Sequence, residues 1–83
     1  MGTLTNPAAN AIAVVASDTI DIPTGTVSAA RALYIGGAGD VALVTENSDS
    51  VTFVGLLAGT ILPVRCTRVD STNTTATSIV AIW

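Results

Sequence analysis

A chain of 83 residues with a net charge of −3 has the length of a single domain. It contains three arginines, no lysine and no histidine, which excludes the basic surface of a nucleic-acid-binding protein and removes the commonest metal ligand. Its single cysteine excludes an intrachain disulfide. No segment has the features of a secretory signal or the ~20 apolar residues that a membrane-spanning helix needs, which predicts a protein made in a cytoplasm.

The composition predicts an all-β protein that associates with itself. Thirteen Thr, ten Val and seven Ile suit the half-buried surface of a sheet. A chain of 8.3 kDa buries only about 60% of its unfolded surface, which allows one thin core. Since 49% of the residues are hydrophobic, that core cannot cover them all, and we expect a homo-oligomer.

The chain divides into a short arm and one β domain. Residues 1–10 are small and polar and predict an extended or mobile N-terminal arm, followed by a domain over residues 11–83. Pro23 ends an alternating segment, and residues 27–30 fit either a helical turn or a loop. The predicted strands are 11–16, 19–22, 31–35, 41–45, 51–54, 61–69 and 76–83.

Turn signals separate these strands every eight to twelve residues or so, which is typical of a small antiparallel sandwich or barrel of about six to seven short strands. The glycine-rich segment 36–40 leads into a strand instead of a helix, and the chain has no P-loop lysine, so it predicts a tight hairpin turn. Pro63 makes residues 61–62 an edge or a bulge, or else delays the strand to residue 64. The last strand is apolar on both faces and requires a neighbour.

Reactive chemistry is scarce, which predicts a protein without enzymatic activity, cofactor or metal. Cys66 and the serines have neither His nor Lys as a base, so Cys66 is expected to be a buried apolar side chain. The carboxylates lie in or beside turns. Glu46, Asn47 and Asp49 offer a weak Ca²⁺ site, but their spacing matches no EF-hand loop and favours a plain polar hairpin.

The few arginines and the C-terminal tryptophan are the candidate contact residues. An arginine here serves solubility, pairs with an Asp in a turn, or bridges to a partner's carboxylate, and the sequence leaves these open. Trp83 is either a core residue or an aromatic anchor in an interface. The candidate interface residues are Arg31, Leu56, Leu57, Arg65, Arg68 and Trp83.

A series of short motifs runs in order from residue 17 to the last residue. They are Ser17-Asp18-Thr19, Arg31-Ala32-Leu33-Tyr34-Ile35-Gly36, Gly39-Asp40, Val51-Thr52-Phe53, Ala58-Gly59, Leu62-Pro63-Val64-Arg65, Arg68-Val69 and Ala81-Ile82-Trp83. As an ordered set, they resemble the head-spike base proteins of alphaproteobacterial gene transfer agents and related tailed phages.

The resemblance implies a structural virion protein on the outer capsid surface. Such a protein would be a decoration (cement) protein or a head-spike base, assembled as a trimer or pentamer, bound to the major capsid protein, and in contact with a spike fibre if one sits on top. It implies no catalytic residues. The alternative is a carbohydrate- or receptor-binding module for host attachment, although Tyr34, Phe53 and Trp83 are few aromatics for a sugar platform.

Overall fold

The computed structural model describes residues 8–25 and 27–83 and confirms the all-β class. Every strand pairing in it is antiparallel. The seven strands are β1 Ala11–Ala13, β2 Ala32–Gly37, β3 Gly39–Thr45, β4 Ser50–Leu56, β5 Thr60–Leu62, β6 Cys66–Val69 and β7 Thr77–Ile82.

The strands form two sheets that enclose one core. One sheet has the order β1-β7-β2-β5, and the other has the order β4-β3-β6. Both sheets contribute side chains to a single buried cluster because successive residues of a strand point to opposite faces. Its largest fully buried members are Leu33, Ile35, Leu43, Val41, Val69 and Cys66.

The closing strand finds its neighbours within the chain. β7 lies between β1 and β2, with Ile79 and Ala81 buried in the core as the alternation predicted. The chain end is also tied down, since the N–H groups of Ala9 and Asn10 donate to the carbonyl of Trp83. Residues 1–7 of the predicted arm lie outside the described residues.

The predicted strand at 19–22 is wrong. The N–H groups of Thr19 and Ile20 donate to the hydroxyl of Ser17, so a local turn uses the backbone donors that a ladder needs. Ile22 is buried and makes one backbone bond to β6, while Ile20 is 70% exposed. The preceding strand is also shorter than predicted, ending at Ala13.

The predicted hairpin turn at 36–40 is also wrong. β2 continues to Gly37 and β3 begins at Gly39, and these two strands belong to different sheets. The segment is a crossover between the layers, with Ala38 alone between the strands. Glycine is required because the chain passes close to the start of β7: a Cβ on Gly39 would lie 2.6 Å from the backbone nitrogen of Ala76.

The predicted strand at 61–69 is divided in two by Pro63. β5 ends at Leu62 and is an edge strand of the four-stranded sheet, as the proline indicated. β6 begins at Cys66 and belongs to the other sheet. Within the described part of the chain, no helix is long and apolar enough to cross a membrane.

Candidate interaction surfaces

The one thiol lies inside the core. Cys66 has no exposed surface, and burial raises its pKa to about 11. A thiol in this state is protonated near neutral pH and is a poor nucleophile. Among the residues that the structure describes, no group of three or more His, Cys, Asp or Glu is placed to hold a metal ion.

The turn carboxylates act locally as hydrogen-bond acceptors. Asp18 accepts from the N–H and the hydroxyl of Thr72 at 2.9 and 2.6 Å, and these bonds lower its pKa. Asp40 accepts from the N–H of Gly55 at 2.9 Å, which fixes a bulge in β4. Asp18 and Asp40 therefore hold loops in place across the surface instead of converging in a cleft.

Arg68 is paired within the chain. Its Nε lies 2.7 Å from Oδ1 of Asp70, and this hydrogen bond raises the pKa of the guanidinium. Both side chains are partly buried. The intramolecular pairing with an Asp in a turn, one of the alternatives left open by the sequence, is the one found for Arg68.

Three of the candidate contact residues lie together at one end of the sandwich, the arginine end. Arg31 follows an antiparallel bridge between Ala30 and Cys66, which places it beside Arg65. The N–H of Arg31 also donates to β7 at 2.8 Å, one residue before Trp83. Arg65 is exposed, whereas Trp83 is half-buried and packs against the core.

The two leucines lie at the other end. Leu56 is opposite Gly39, where β3 begins, and Cys66 is opposite Thr45, where β3 ends. β3 spans seven residues from the first of these points to the second, a distance of roughly 20 Å. Leu56 is half-buried against the core, but Leu57 is 72% exposed. The six candidates therefore form no single patch.

The structure reveals an apolar row that sequence reasoning missed. Ala13, Val80, Tyr34 and Ile61 are in register across all four strands of the larger sheet. They occupy its outer face, since the residues on both sides of Val80 and Tyr34 are buried and those beside Ala13 and Ile61 are buried or half-buried. The alternation of Leu33, Tyr34 and Ile35 was a local signal, but strand order and register were needed to connect it with the other strands.

Comparison with known proteins places the chain. No family model matches it, and no curated protein matches it. A solved structure described as the capsid of a native GTA particle, computed with C5 symmetry, contains a chain that is similar to this one. The similarity covers 100% of this chain and 92% of that chain, at 34% identity and a TM-score of 0.79.

Sequence identity at this level over the whole length indicates a shared family as well as a shared fold. It agrees with the motifs that run from residue 17 to residue 83, which pointed to gene transfer agents. The chain therefore belongs to the same protein family as this component of the gene transfer agent capsid.

Proposed function

We propose that the protein is a structural component of the outer capsid surface, either a decoration (cement) protein or a head-spike base. It acts as a homo-oligomer, a trimer or pentamer, that binds the major capsid protein and stabilises the shell. The observation that carries this proposal is the full-length similarity to a chain of a gene transfer agent capsid.

The surface chemistry supports a binding role. The thiol is buried and the carboxylates serve as local acceptors, while apolar side chains remain exposed on a sheet face and at loops. A protein of this kind gains affinity for a shell through many simultaneous weak contacts between repeated copies.

The contact residues are proposed from the two ends of the sandwich. At the arginine end, exposed Arg65 can make a bidentate pair with a carboxylate of a partner, next to Arg31 and Trp83. At the opposite end, Leu57 offers an apolar contact beside half-buried Leu56. Arg68 contributes less, because its guanidinium is already bonded to Asp70.

The test is the occupancy of purified protein on capsids assembled without it, measured by co-sedimentation and electron cryomicroscopy. Wild-type protein is expected to bind at regular positions on the outer surface. Arg65→Ala and Leu57→Ser alter exposed side chains at opposite ends, so each is the folded control for the other. The variant that loses occupancy identifies the end that faces the shell.

Two results would count against this proposal at different levels. If both variants bind like wild type, the choice of contact residues is wrong. If wild-type protein does not bind capsids at all, the proposed function is wrong. The symmetry of the bound density, three-fold or five-fold, distinguishes a cement protein from a spike base.

The attachment alternative has less support from the surface. Of the three aromatic residues, Phe53 and Trp83 pack against the core, and Tyr34 is exposed on a sheet face. A sugar platform generally presents several exposed rings. Saturable binding of the isolated protein to host polysaccharide would favour this alternative.

A further inference from the structure

Of the four edge strands, two are blocked. β6 is covered by the preceding loop segment, since the N–H groups of Ser17 and Ile22 donate to its carbonyls at 2.8 Å and Ala30 bridges to Cys66. β5 ends directly before Pro63, whose missing N–H prevents extension of this edge. The open edges left are β4 of the three-stranded sheet and β1 of the four-stranded sheet, whose three residues are prolonged at both ends by backbone hydrogen bonds of Asn10 and Val14.

The backbone of β4 is open at alternate residues. Opposite Thr52 lies Ala42, whose N–H donates to the hydroxyl of Thr74 and whose carbonyl accepts from the N–H of Asp70. Both groups of Ala42 thus point away from β4. In an antiparallel ladder the residue opposite points away as well, so the N–H and carbonyl of Thr52 face outward. Within the described residues, β4 pairs with β3 alone.

The backbone of β1 is open in the same way. Asn10 and Trp83 exchange two backbone hydrogen bonds of 3.0 Å, and the N–H of Val14 donates to a carbonyl of β7 at 2.8 Å. By alternation, Ala11 and Ala13 direct their N–H and carbonyl groups to the free side. In the part of the chain that is described, they pair only with β7.

The two edges are alike in chemistry. The ladder of β1 runs over residues 10–14 and β4 over residues 50–56, and neither segment contains a charged residue or a proline that would discourage pairing. Each edge also exposes apolar side chains that a neighbour would cover, since Val15 is 87% exposed and Val54 is 75% exposed. Beside β1 runs a groove of about 450 Å³ between residues 12–17 and 20–23.

We propose that β4 of one copy of this chain pairs with the β1 edge of the next copy. The proposal rests on the homo-oligomer of the proposed function and assigns its interface. Because the two partners are different surfaces, the contact is head-to-tail. Such a contact gives a closed ring when the rotation between copies adds up to a full turn and an open filament otherwise, and the trimer or pentamer of the proposed function is the closed case. Each sheet of one copy then continues into a sheet of the next.

A ring would cover a large share of the surface of each copy. A standard interface buries about 800 Å² on each partner, and the chain exposes 4754 Å². A ring member uses two such patches, so roughly a third of its surface is covered. Burial of the exposed valines would stabilise the contact, and hydrogen bonds between the outward backbone groups would fix the alignment of the two strands.

The test uses prolines at the two edges and native mass spectrometry of the purified chain. Thr52→Pro removes an N–H that points outward, so the ladder between β3 and β4 is kept. Ala13→Pro does the same on β1. Both variants are expected to stay folded by circular dichroism and to associate about ten-fold more weakly or worse. Thr52→Val and Ala13→Val keep the N–H and are expected to form the wild-type ring.

Mixing the two proline variants is the decisive measurement. Ala13→Pro retains an intact β4, and Thr52→Pro retains an intact β1 edge, so the mixture is expected to give a one-to-one heterodimer and nothing larger. If Ala13→Pro alone forms a homodimer, β4 pairs with itself and the proposal is wrong. Rings that persist in both variants, or a wild-type chain that remains monomeric, overturn it as well.

Capsid binding separates this inference from the proposed function. Proline variants that decorate capsids at wild-type occupancy would contradict the ring interface and leave the surface role intact. Wild-type rings that fail to bind any capsid would contradict the surface role and leave the interface intact.

Discussion

The thiol of Cys66 is a core side chain whose chemistry is set by burial. Its neighbours in sequence, Arg65 and Thr67, are more exposed, and only the alternation of the strand turns the thiol inward. Burial disfavours the charged thiolate and raises the pKa from 9.0 to about 11. The pH dependence of stability follows from this shift.

We expect the free energy of unfolding to fall as the pH rises from about 9 to about 11. Cys66 stays protonated in the folded chain over this range and ionises in the unfolded chain, so the folded state binds more protons. Below pH 9 the contribution is fully present. Urea unfolding at pH 8, 9.5 and 10.5 measures it. In Cys66→Ala, the free energy of unfolding should fall less steeply with pH over this range. The same slope as in wild type would contradict the assignment to Cys66.

A second residue-scale prediction concerns Asp18. The hydroxyl and the N–H of Thr72 both donate to its carboxylate, so its pKa lies below the ordinary value of 3.8. Thr72→Val removes the hydroxyl donor, and the pKa of Asp18 is expected to rise, as an NMR titration would show. The bonds stabilise the fold above pH 3.8 and are lost as the pH falls through the folded pKa. No rise in Thr72→Val would mean that the amide alone sets the pKa.

At the scale of elements, local patterns predicted most of the strands and the polar hairpin between β3 and β4, but not the connection at residues 36–40. The strands at 41–45 and 51–54 followed from their apolar runs, and Pro63 indicated the edge position of β5. The glycine segment at 36–40 was misassigned because a hairpin and a crossover between sheets use the same residue types. The difference depends on β7, about forty residues later, which no local pattern contains.

The crossover gives a prediction with a built-in control. Gly39 and Gly59 both have positive φ, +154° and +85°, but only Gly39 faces backbone atoms within 3 Å, whereas Gly59 faces open space. Gly59→Ala should cost about 1 kcal/mol from its dihedral alone. Gly39→Ala should cost about 3 kcal/mol or more, because the start of β7 must also move. Equal losses in chemical denaturation would contradict the close approach.

At the scale of the molecule, the sequence predicted a need for neighbours but not where they bind. Composition alone indicated exposed apolar surface. The candidate contact residues were chosen for rarity and position in turns, and the structure distributes them between two ends of the sandwich. The open edges at Thr52 and Ala13 were not foreseen, because an edge is defined by strand order and by which backbone groups are already bonded.

The last prediction follows from the compactness of the single chain. Its surface of 4754 Å² is close to the roughly 4,600 Å² expected for a monomer of this mass. The single chain thus has the surface of a compact monomer, and association would add to its stability by mass action. A hundred-fold rise in concentration adds at most about 2.7 kcal/mol, and each kcal/mol raises the Tm by about 4–8 °C. When the protein concentration is raised about a hundred-fold, from about 1 to about 100 μM, the Tm should rise for wild type and Thr52→Val. The rise should be smaller for Thr52→Pro, whose association is weaker, and a constant wild-type Tm would mean that association contributes nothing to its stability.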